Sequence, residues 1–140
     1  MNNKYFVKLL YQAGLGIVTK QRLEVLSFLA NADQPKSAKE IAKILSKKGV
    51  DQATVYRILA RFKEGCIINQ IDFQEDQSYF ELKDRGDHHH IICQECKKVE
   101  DFKGCNYDNL VNSISKNKTG FAKITGHSFE LFGICKSCLK

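Results

Sequence analysis

Residues 51–82 have the sequence DQATVYRILARFKEGCIINQIDFQEDQSYFEL, and the hydrophobic period changes in the middle of this stretch. Up to Gly65 the apolar residues recur at helical spacing, and Asp51 is a suitable N-cap residue. After Gly65 they alternate, which predicts strands over residues 67–73 and 78–82 around a polar turn. A helix followed by a two-stranded hairpin is typical of a winged helix.

Three further helices are predicted upstream of this stretch. The first covers residues 5–13, and Thr19 can cap the second. Ser37 and Glu40 form a capping box that opens the third, and Gly49 lies just beyond its end. Residues 1–83 are therefore predicted to form a winged helix-turn-helix domain.

A smaller domain is predicted after the polar, glycine-containing hinge at residues 84–87. Its elements are strands at residues 88–93 and 98–102, a helix at 106–116 and a long strand at 121–132, which make residues 88–140 an α/β domain and the whole chain α+β. No stretch approaches the roughly 20 apolar residues of a membrane span. A signal peptide is not predicted either, so we expect a cytoplasmic protein.

Charge is distributed unevenly along the chain. Residues 1–66 carry 12 Lys and Arg against 5 Asp and Glu, a net charge of +7, whereas residues 67–140 carry 10 against 11, a net charge of −1. A basic first half is typical of a nucleic-acid-binding protein. A solvated, lysine-rich surface is the alternative interpretation.

The helix over residues 51–64 has one apolar face and one basic face. Val55, Ile58 and Phe62 are predicted to be buried. The opposite side can enter a DNA major groove, where arginine bonds guanine bidentately and tyrosine packs on a thymine methyl group. The predicted DNA-binding residues are Thr54, Tyr56, Arg57 and Arg61, with Lys20 on the phosphates. An ordinary basic surface helix is the alternative.

The clearest metal-binding signal is a pair of Cys-x-x-Cys motifs, Cys93/Cys96 and Cys135/Cys138. Two such pairs complete a closed tetrahedral zinc shell, which leaves no open position and therefore predicts a structural zinc. Five of the six cysteines and all four histidines lie after residue 80. In a reducing compartment this clustering favours metal over disulfides.

The triplet His88-His89-His90 begins the first strand of this domain. Side chains alternate along a strand, so His88 and His90 share one face and His89 occupies the other. One strand can therefore serve two metal sites. The candidate ligands are Glu81, His88, His90 and Asp101 for the first face, and Asp87, His89, Asp108 and His127 for the second. Such nitrogen–oxygen shells suit Fe(II), Mn(II) or Zn(II).

Five motifs follow one another along the chain. They are Thr19-x-x-Arg22-x-x-Val25-Leu26, Ala53-Thr54-Val55-Tyr56-Arg57, Tyr79-Phe80-Glu81-Leu82, His88-His89-His90-Ile91-Ile92-Cys93-x-x-Cys96 and Gly133-Ile134-Cys135-x-x-Cys138. In order and spacing this set resembles the ferric uptake regulator family of metal-responsive transcriptional regulators. The resemblance covers nearly the whole chain.

This resemblance implies a homodimeric repressor in which each subunit joins a winged helix to an α/β dimerisation domain. Tyr56 and Arg57 would contact operator bases in AT-rich double-stranded DNA. A regulatory metal at Glu81, His88, His90 and Asp101 would set the angle between the domains. The resemblance also implies an additional metal site at Asp87, His89, Asp108 and His127. Whether two dimers pair into a tetramer is left open.

The chain departs from the family pattern at two places. Many members supply a histidine to the regulatory metal from just before the third helix, where this chain has Gln34-Pro35-Lys36. A lysine that commonly enters the minor groove is replaced by Gly16-Ile17-Val18. Iron or manganese sensing is our first interpretation. An aspartate at position 101 resembles the peroxide-sensing members, so peroxide sensing remains an alternative. Zinc sensing is the other alternative, although the lack of a cysteine near Glu81 argues against it.

Two other classes of protein agree less well with the sequence. A zinc-dependent enzyme would need an open coordination position and a general base, and neither His-Glu-x-x-His nor a deaminase motif is present, so no enzymatic activity is expected. The basic first half argues against a zinc-ribbon interaction module. Of the two cysteines outside the pairs, Cys66 is interpreted as a core residue, and a reactive-thiol role for Cys105 is not favoured.

Overall fold

The computed structural model describes residues 3–83, 88–117 and 119–139. The chain forms two compact units, residues 1–86 and 87–140. The hinge predicted at residues 84–87 lies outside the described residues. In the described part of the chain, every helix is too short or too polar to cross a lipid bilayer.

Four helices and a small antiparallel sheet build the N-terminal unit. The elements are α1 (Asn3–Gln12), α2 (Lys20–Asn31), β1 (Lys36–Ser37), α3 (Ala38–Leu45) with a 3₁₀ turn at Ser46–Lys48, α4 (Gln52–Glu64), β2 (Ile68–Asp72) and β3 (Ser78–Leu82). The sheet order is β1-β3-β2, with Lys36 opposite Phe80. The prediction missed β1, because a two-residue strand is too short to show an alternating pattern.

The predicted caps begin the helices of this unit. Thr19 Oγ1 accepts a hydrogen bond from the Arg22 N–H at 3.2 Å. The Ser37 hydroxyl accepts from the Glu40 N–H at 3.2 Å while the Ser37 N–H donates to the Glu40 carboxylate at 2.8 Å, which is a complete capping box. The Asp51 carboxylate accepts from the Thr54 N–H at 2.7 Å at the start of α4.

A single apolar core holds these helices on the sheet. Its largest fully buried side chains include Phe6, Leu10, Leu26, Leu29, Ile41, Leu45, Phe62 and Leu82. From α4 the core takes Val55, Ile58, Leu59 and Phe62, which is one complete face of the helix. The other face of α4 is therefore held rigidly toward solvent.

Cys66 is exposed, and its interpretation as a core residue is wrong. The residue follows the last turn of α4 and has a left-handed backbone conformation with φ of 57°. This turn directs Ile67 and Ile68 into the core instead. A single left-handed residue at a helix end shifts which neighbour points inward, and a hydrophobic pattern does not report that shift.

The C-terminal unit has a three-stranded sheet and one helix. Its elements are β4 (His89–Cys93), β5 (Val99–Phe102), α5 (Tyr107–Lys116) and β6 (Glu130–Gly133). The sheet order is β5-β4-β6, with β4 antiparallel to β5 and parallel to β6. The prediction of a strand over residues 121–132 is wrong for its first nine residues. The parallel ladder starts with His90 opposite Glu130, close to the first residue of β4, and the described residues 119–129 are in no strand.

Apolar side chains remain exposed in this unit. Helix α5 is amphipathic, yet none of its described residues is buried. Leu110, Ile114 and Phe129 are exposed, and a concavity of about 770 Å³ runs beside them. Among its described apolar residues, only Ile92 and Cys93 are buried. The unit thus presents an apolar face that its own chain does not cover.

Candidate metal centres and DNA-binding surface

The four cysteines of the Cys-x-x-Cys pairs lie together at one end of the C-terminal sheet. One sulfur from each residue lies within 4.8 Å of the other three. The parallel pairing of Cys93 with Gly133 brings the second pair beside the first. The Cys96 and Cys135 sulfurs are 3.7 Å apart. Zinc–sulfur bonds of about 2.3 Å at tetrahedral angles require about 3.7–3.8 Å, so the arrangement fits zinc.

Hydrogen bonds within this cluster lower the pKa of one cysteine and raise the pKa of another. The Cys135 N–H donates to Cys93 Sγ at 3.3 Å. Together with the amides of Cys96 and Glu95, this bond lowers the pKa of Cys93 to about 6. Hydrogen bonding to the Cys135 and Cys96 sulfurs raises the pKa of Cys138 to about 12. Four adjacent thiolates repel one another, so a divalent cation is what allows all of them to ionise together.

His88, His90 and Asp101 lie on one face of the same sheet. The rings of His88 and His90 have centroids 4.9 Å apart, and His90 Nε2 is 3.6 Å from an Asp101 carboxylate oxygen. His90 is opposite Asp101 in the β4–β5 ladder, which explains their proximity. His90 is 2% exposed, whereas the Asp101 side chain is 44% exposed. Glu81 belongs to the N-terminal unit, where it is buried in β3 opposite Asn69.

His89 occupies the other face of β4 with a different set of partners. His89 Nε2 is 3.1 Å from His127 Nε2, which in turn is 3.6 Å from Cys105 Sγ. These three side chains form a compact group, whereas the predicted ligand Asp108 is an exposed residue in the first turn of α5 and is not part of it. Asp87, the other predicted ligand, lies outside the described residues.

Helix α4 presents its predicted DNA-binding residues on its solvent side. Tyr56 is 46% exposed, and Arg57 and Arg61 are exposed beside it. The Arg57 guanidinium donates to Thr54 Oγ1 at 3.1 Å, and Arg61 lies 3.3 Å from the Glu64 carboxylate. Lys20 is exposed at the first position of α2. These residues give the N-terminal unit a basic surface centred on α4.

The chain matches known proteins over most of its length. The family model described as the Ferric uptake regulator family matches residues 13–132. The chain belongs to the ferric uptake regulator family. The Ferric uptake regulation protein of Yersinia pestis is 38% identical over 133 residues, which cover 93% of this chain and 88% of that protein. The Peroxide operon regulator of Bacillus subtilis (strain 168) is 33% identical over 125 residues, which cover 88% of this chain and 84% of that protein.

A solved structure extends this similarity to the fold. The Helicobacter pylori ferric uptake regulator Fur superposes with a TM-score of 0.76 at 28% identity and covers 98% of this chain and 91% of its own. That structure reveals three functional metal binding sites in the Helicobacter protein. The ferric uptake regulator family consists of metal-responsive, DNA-binding, dimeric transcriptional regulators and not of enzymes, so the resemblance and the α+β fold class are confirmed.

Sequence reasoning missed Cys105 among the candidate ligands of this ferric uptake regulator family member. Cys105 has no second cysteine three positions away, so it is in no Cys-x-x-Cys motif. The available signal was its position in the half of the chain that contains every histidine. Cys105 and His127 are 22 residues apart in the sequence, and only the folded chain shows that they meet on the face of β4 that His89 occupies.

Proposed function

We propose that this chain is a homodimeric repressor that binds an AT-rich operator when Fe(II) or Mn(II) occupies its regulatory site. A structural zinc is held by Cys93, Cys96, Cys135 and Cys138. The regulatory ligands are His88, His90 and Asp101, together with Glu81, which the family resemblance implies. As a DNA-binding regulator, the protein would act in the cytoplasm.

The observation that carries this proposal is that the His90 imidazole lies beside the His88 ring and 3.6 Å from the Asp101 carboxylate. Two imidazoles and a carboxylate are a mixed nitrogen–oxygen donor set, which suits Fe(II), Mn(II) and Zn(II). His90 and Asp101 are directly opposite each other on two adjacent strands, so the sheet register fixes their spacing. Asp101 remains partly exposed, which leaves a route for ion exchange. A site of this kind suits a sensor rather than a permanent structural ion.

The basic face of α4 supports the DNA-binding part of the proposal. Tyr56 and Arg57 point away from a helix whose inner face is locked into the core. An arginine guanidinium in the major groove recognises guanine, and tyrosine can contact a thymine methyl group. Thr54 and Arg61 lie on the same face of α4 as Arg57, and Lys20 would position the domain on the phosphates. The net charge of +7 over residues 1–66 favours approach to the DNA polyanion.

The uncovered apolar face of the C-terminal unit supports a homodimer. Leu110, Ile114 and Phe129 are exposed around a concavity that the chain itself does not fill. An exposed apolar face beside a concavity of about 770 Å³ usually marks a protein–protein interface. A second copy of the same unit would bury it, as expected for a member of a dimeric family.

Two neighbouring carboxylates on β5 provide a test of the regulatory site. Asp101 lies beside His90, whereas Glu100 pairs with Lys98 at 2.6 Å. Duplexes selected by the wild-type protein from a random pool with Mn(II) serve as the probe, and affinity is measured by fluorescence anisotropy with Mn(II) or with chelator. Mn(II) should raise the affinity of the wild-type protein by at least about tenfold, within the usual range of allosteric coupling.

Asp101→Ala should lose this metal response, and Glu100→Ala should keep it, while both retain the structural zinc. A metal response in Asp101→Ala equal to that of the wild type would show that the regulatory site lies elsewhere. The proposed function itself fails if the wild-type protein binds no duplex in any metal condition.

The alternatives within the family are separated by further arms of the same assay. A zinc sensor would respond to Zn(II) at concentrations where Fe(II) and Mn(II) have no effect. A peroxide sensor loaded with Fe(II) would lose DNA affinity on treatment with hydrogen peroxide, whereas the Mn(II) form would keep it. Iron or manganese sensing requires that Fe(II) or Mn(II) raise the DNA affinity without peroxide and with zinc present only in the structural site.

A further inference from the structure

We propose that Cys105 joins His89 and His127 in a second metal site of the C-terminal unit, with two imidazole nitrogens and one thiolate as ligands. This inference concerns metal binding only and does not require the chain to bind DNA. It replaces the predicted oxygen ligand Asp108 with sulfur, which changes the class of ion that the site selects.

The two measured distances from His127 Nε2 to the other ligand atoms match a tetrahedral centre. Metal–nitrogen bonds of about 2.0–2.1 Å and a metal–sulfur bond of about 2.3 Å place nitrogens about 3.3 Å apart and nitrogen about 3.6 Å from sulfur. His89 Nε2 and His127 Nε2 are 3.1 Å apart, and His127 Nε2 is 3.6 Å from Cys105 Sγ. All three donors also lie within 4.8 Å of one another. One ion can therefore bind all three atoms without rearrangement of the backbone.

Aromatic side chains hold both imidazoles in place. The His127 ring stacks on Tyr107 with a centroid distance of 4.1 Å and an interplanar angle of 21°. The His89 ring contacts Phe102 at 5.6 Å and Phe129 at 5.5 Å. His89 is also 6% exposed. Ring packing of this kind restricts the orientation of both imidazoles, which favours their use as metal ligands.

The backbone before α5 directs Cys105 toward the histidines. Gly104 has a φ of +105°, a conformation that other residues rarely adopt, and it lies between β5 and α5. His89 is the first residue of β4, and His127 belongs to residues 119–129, which form neither helix nor strand. An ion at this site would thus tie the irregular segment before β6 and the start of α5 to the central strand.

The thiolate distinguishes this site from the one on the opposite face of β4. His88, His90 and Asp101 offer nitrogen and oxygen, which accept Mn(II) and Fe(II). A site with one thiolate and two imidazoles is softer, and it favours Zn(II) or Co(II) over Mn(II). A single strand would then separate two kinds of ion by the chemistry of its two faces.

Cobalt spectroscopy tests the sulfur ligand directly. Full-length protein with zinc retained in the four-cysteine site is titrated with Co(II), and a zinc indicator confirms that no zinc is released. The wild-type protein should develop a sulfur-to-cobalt charge-transfer band as the second site fills. The matched control Cys66→Ser removes an exposed cysteine of the other unit and should give the same band.

Cys105→Ser should lose the charge-transfer band and bind Zn(II) more weakly by at least about tenfold. Cys105→Asp tests whether the loss of the band comes from a folding defect. This variant restores an anionic ligand, so it should bind Co(II) but show no sulfur-to-cobalt band. Hydrogen exchange gives an independent readout, because Zn(II) should protect residues 119–129 in the wild-type protein more than in Cys105→Ser. A Cys105→Ser variant with the wild-type cobalt spectrum and zinc affinity would overturn the proposal.

Discussion

Arg57 provides the sharpest test of DNA recognition by α4. The guanidinium is exposed and donates a 3.1 Å hydrogen bond to Thr54 Oγ1. An exposed hydrogen bond of this kind exchanges readily with water, so its loss on DNA binding costs little. The guanidinium has five N–H donors and retains a free edge for a bidentate contact with a base.

The expected magnitude follows from that contact. A bidentate arginine–guanine pair contributes about 1–3 kcal/mol of discrimination, so Arg57→Ala should weaken operator binding about 5- to 150-fold for each half-site. A homodimer presents two copies of α4 at separate half-sites. The two losses should then add to about 2–6 kcal/mol for the dimer. Stability should change little, because Arg57 is on the solvent side of the helix.

Charge-matched variants separate base recognition from phosphate binding. Arg57→Lys keeps the positive charge, so the dependence of affinity on salt should remain, while the preference for the selected operator over a scrambled duplex should fall. Lys103→Ala removes one exposed charge from the C-terminal unit and should leave that preference unchanged. Anisotropy titrations of all variants at several salt concentrations give both quantities. If Arg57→Ala weakened operator and scrambled duplex equally and lowered the salt slope by about one, Arg57 would contact only phosphate.

Two further predictions concern the stability of each unit. Cys93→Ser should reduce the zinc content by about one equivalent per subunit and lower the melting temperature, measured by elemental analysis and calorimetry, whereas Cys66→Ser should change neither. A Cys93→Ser protein with full zinc content would exclude the four-cysteine centre. Ser37→Ala removes the acceptor for the Glu40 N–H and should destabilise the N-terminal unit by about 0.5–2 kcal/mol in urea unfolding. Ser46→Ala, at the exposed end of the same helix, should cost less than about 0.5 kcal/mol, and equal losses would contradict the importance of the capping box.

The helical part of the fold was predictable because local rules and the core agree there. Thr19, Ser37 and Asp51 each begin a helix as their hydrogen-bonding side chains suggest, and the apolar face of α4 is the buried one. The change from helical to alternating periodicity after Gly65 also located the hairpin. Each of these signals acts within about five residues, which is the range over which a sequence pattern reports structure directly.

The prediction was less complete where distant segments meet. The strand expected from residue 121 is confined to Glu130–Gly133, because its extent depends on where β4 begins rather than on its own sequence. Cys66 is exposed because of a left-handed turn that its neighbours do not specify. Cys105 lies 3.6 Å from His127, which is 22 residues away in the sequence, and the backbone reaches this position through the left-handed Gly104. Local pattern cannot supply any of these three outcomes.

The two units differ in how they are stabilised, and this difference bears on sensing. The N-terminal unit has a continuous apolar core, whereas the described residues of the C-terminal unit bury little beyond Ile92, Cys93 and two histidines. Units of this size usually need a metal or a second copy to be stable. Because ion binding then contributes directly to folding free energy, occupancy at β4 can determine how well the apolar face of α5 is ordered for dimerisation. A core packed as tightly as that of the N-terminal unit would fold regardless of the metal, and it would therefore leave the ion little free energy with which to alter DNA binding.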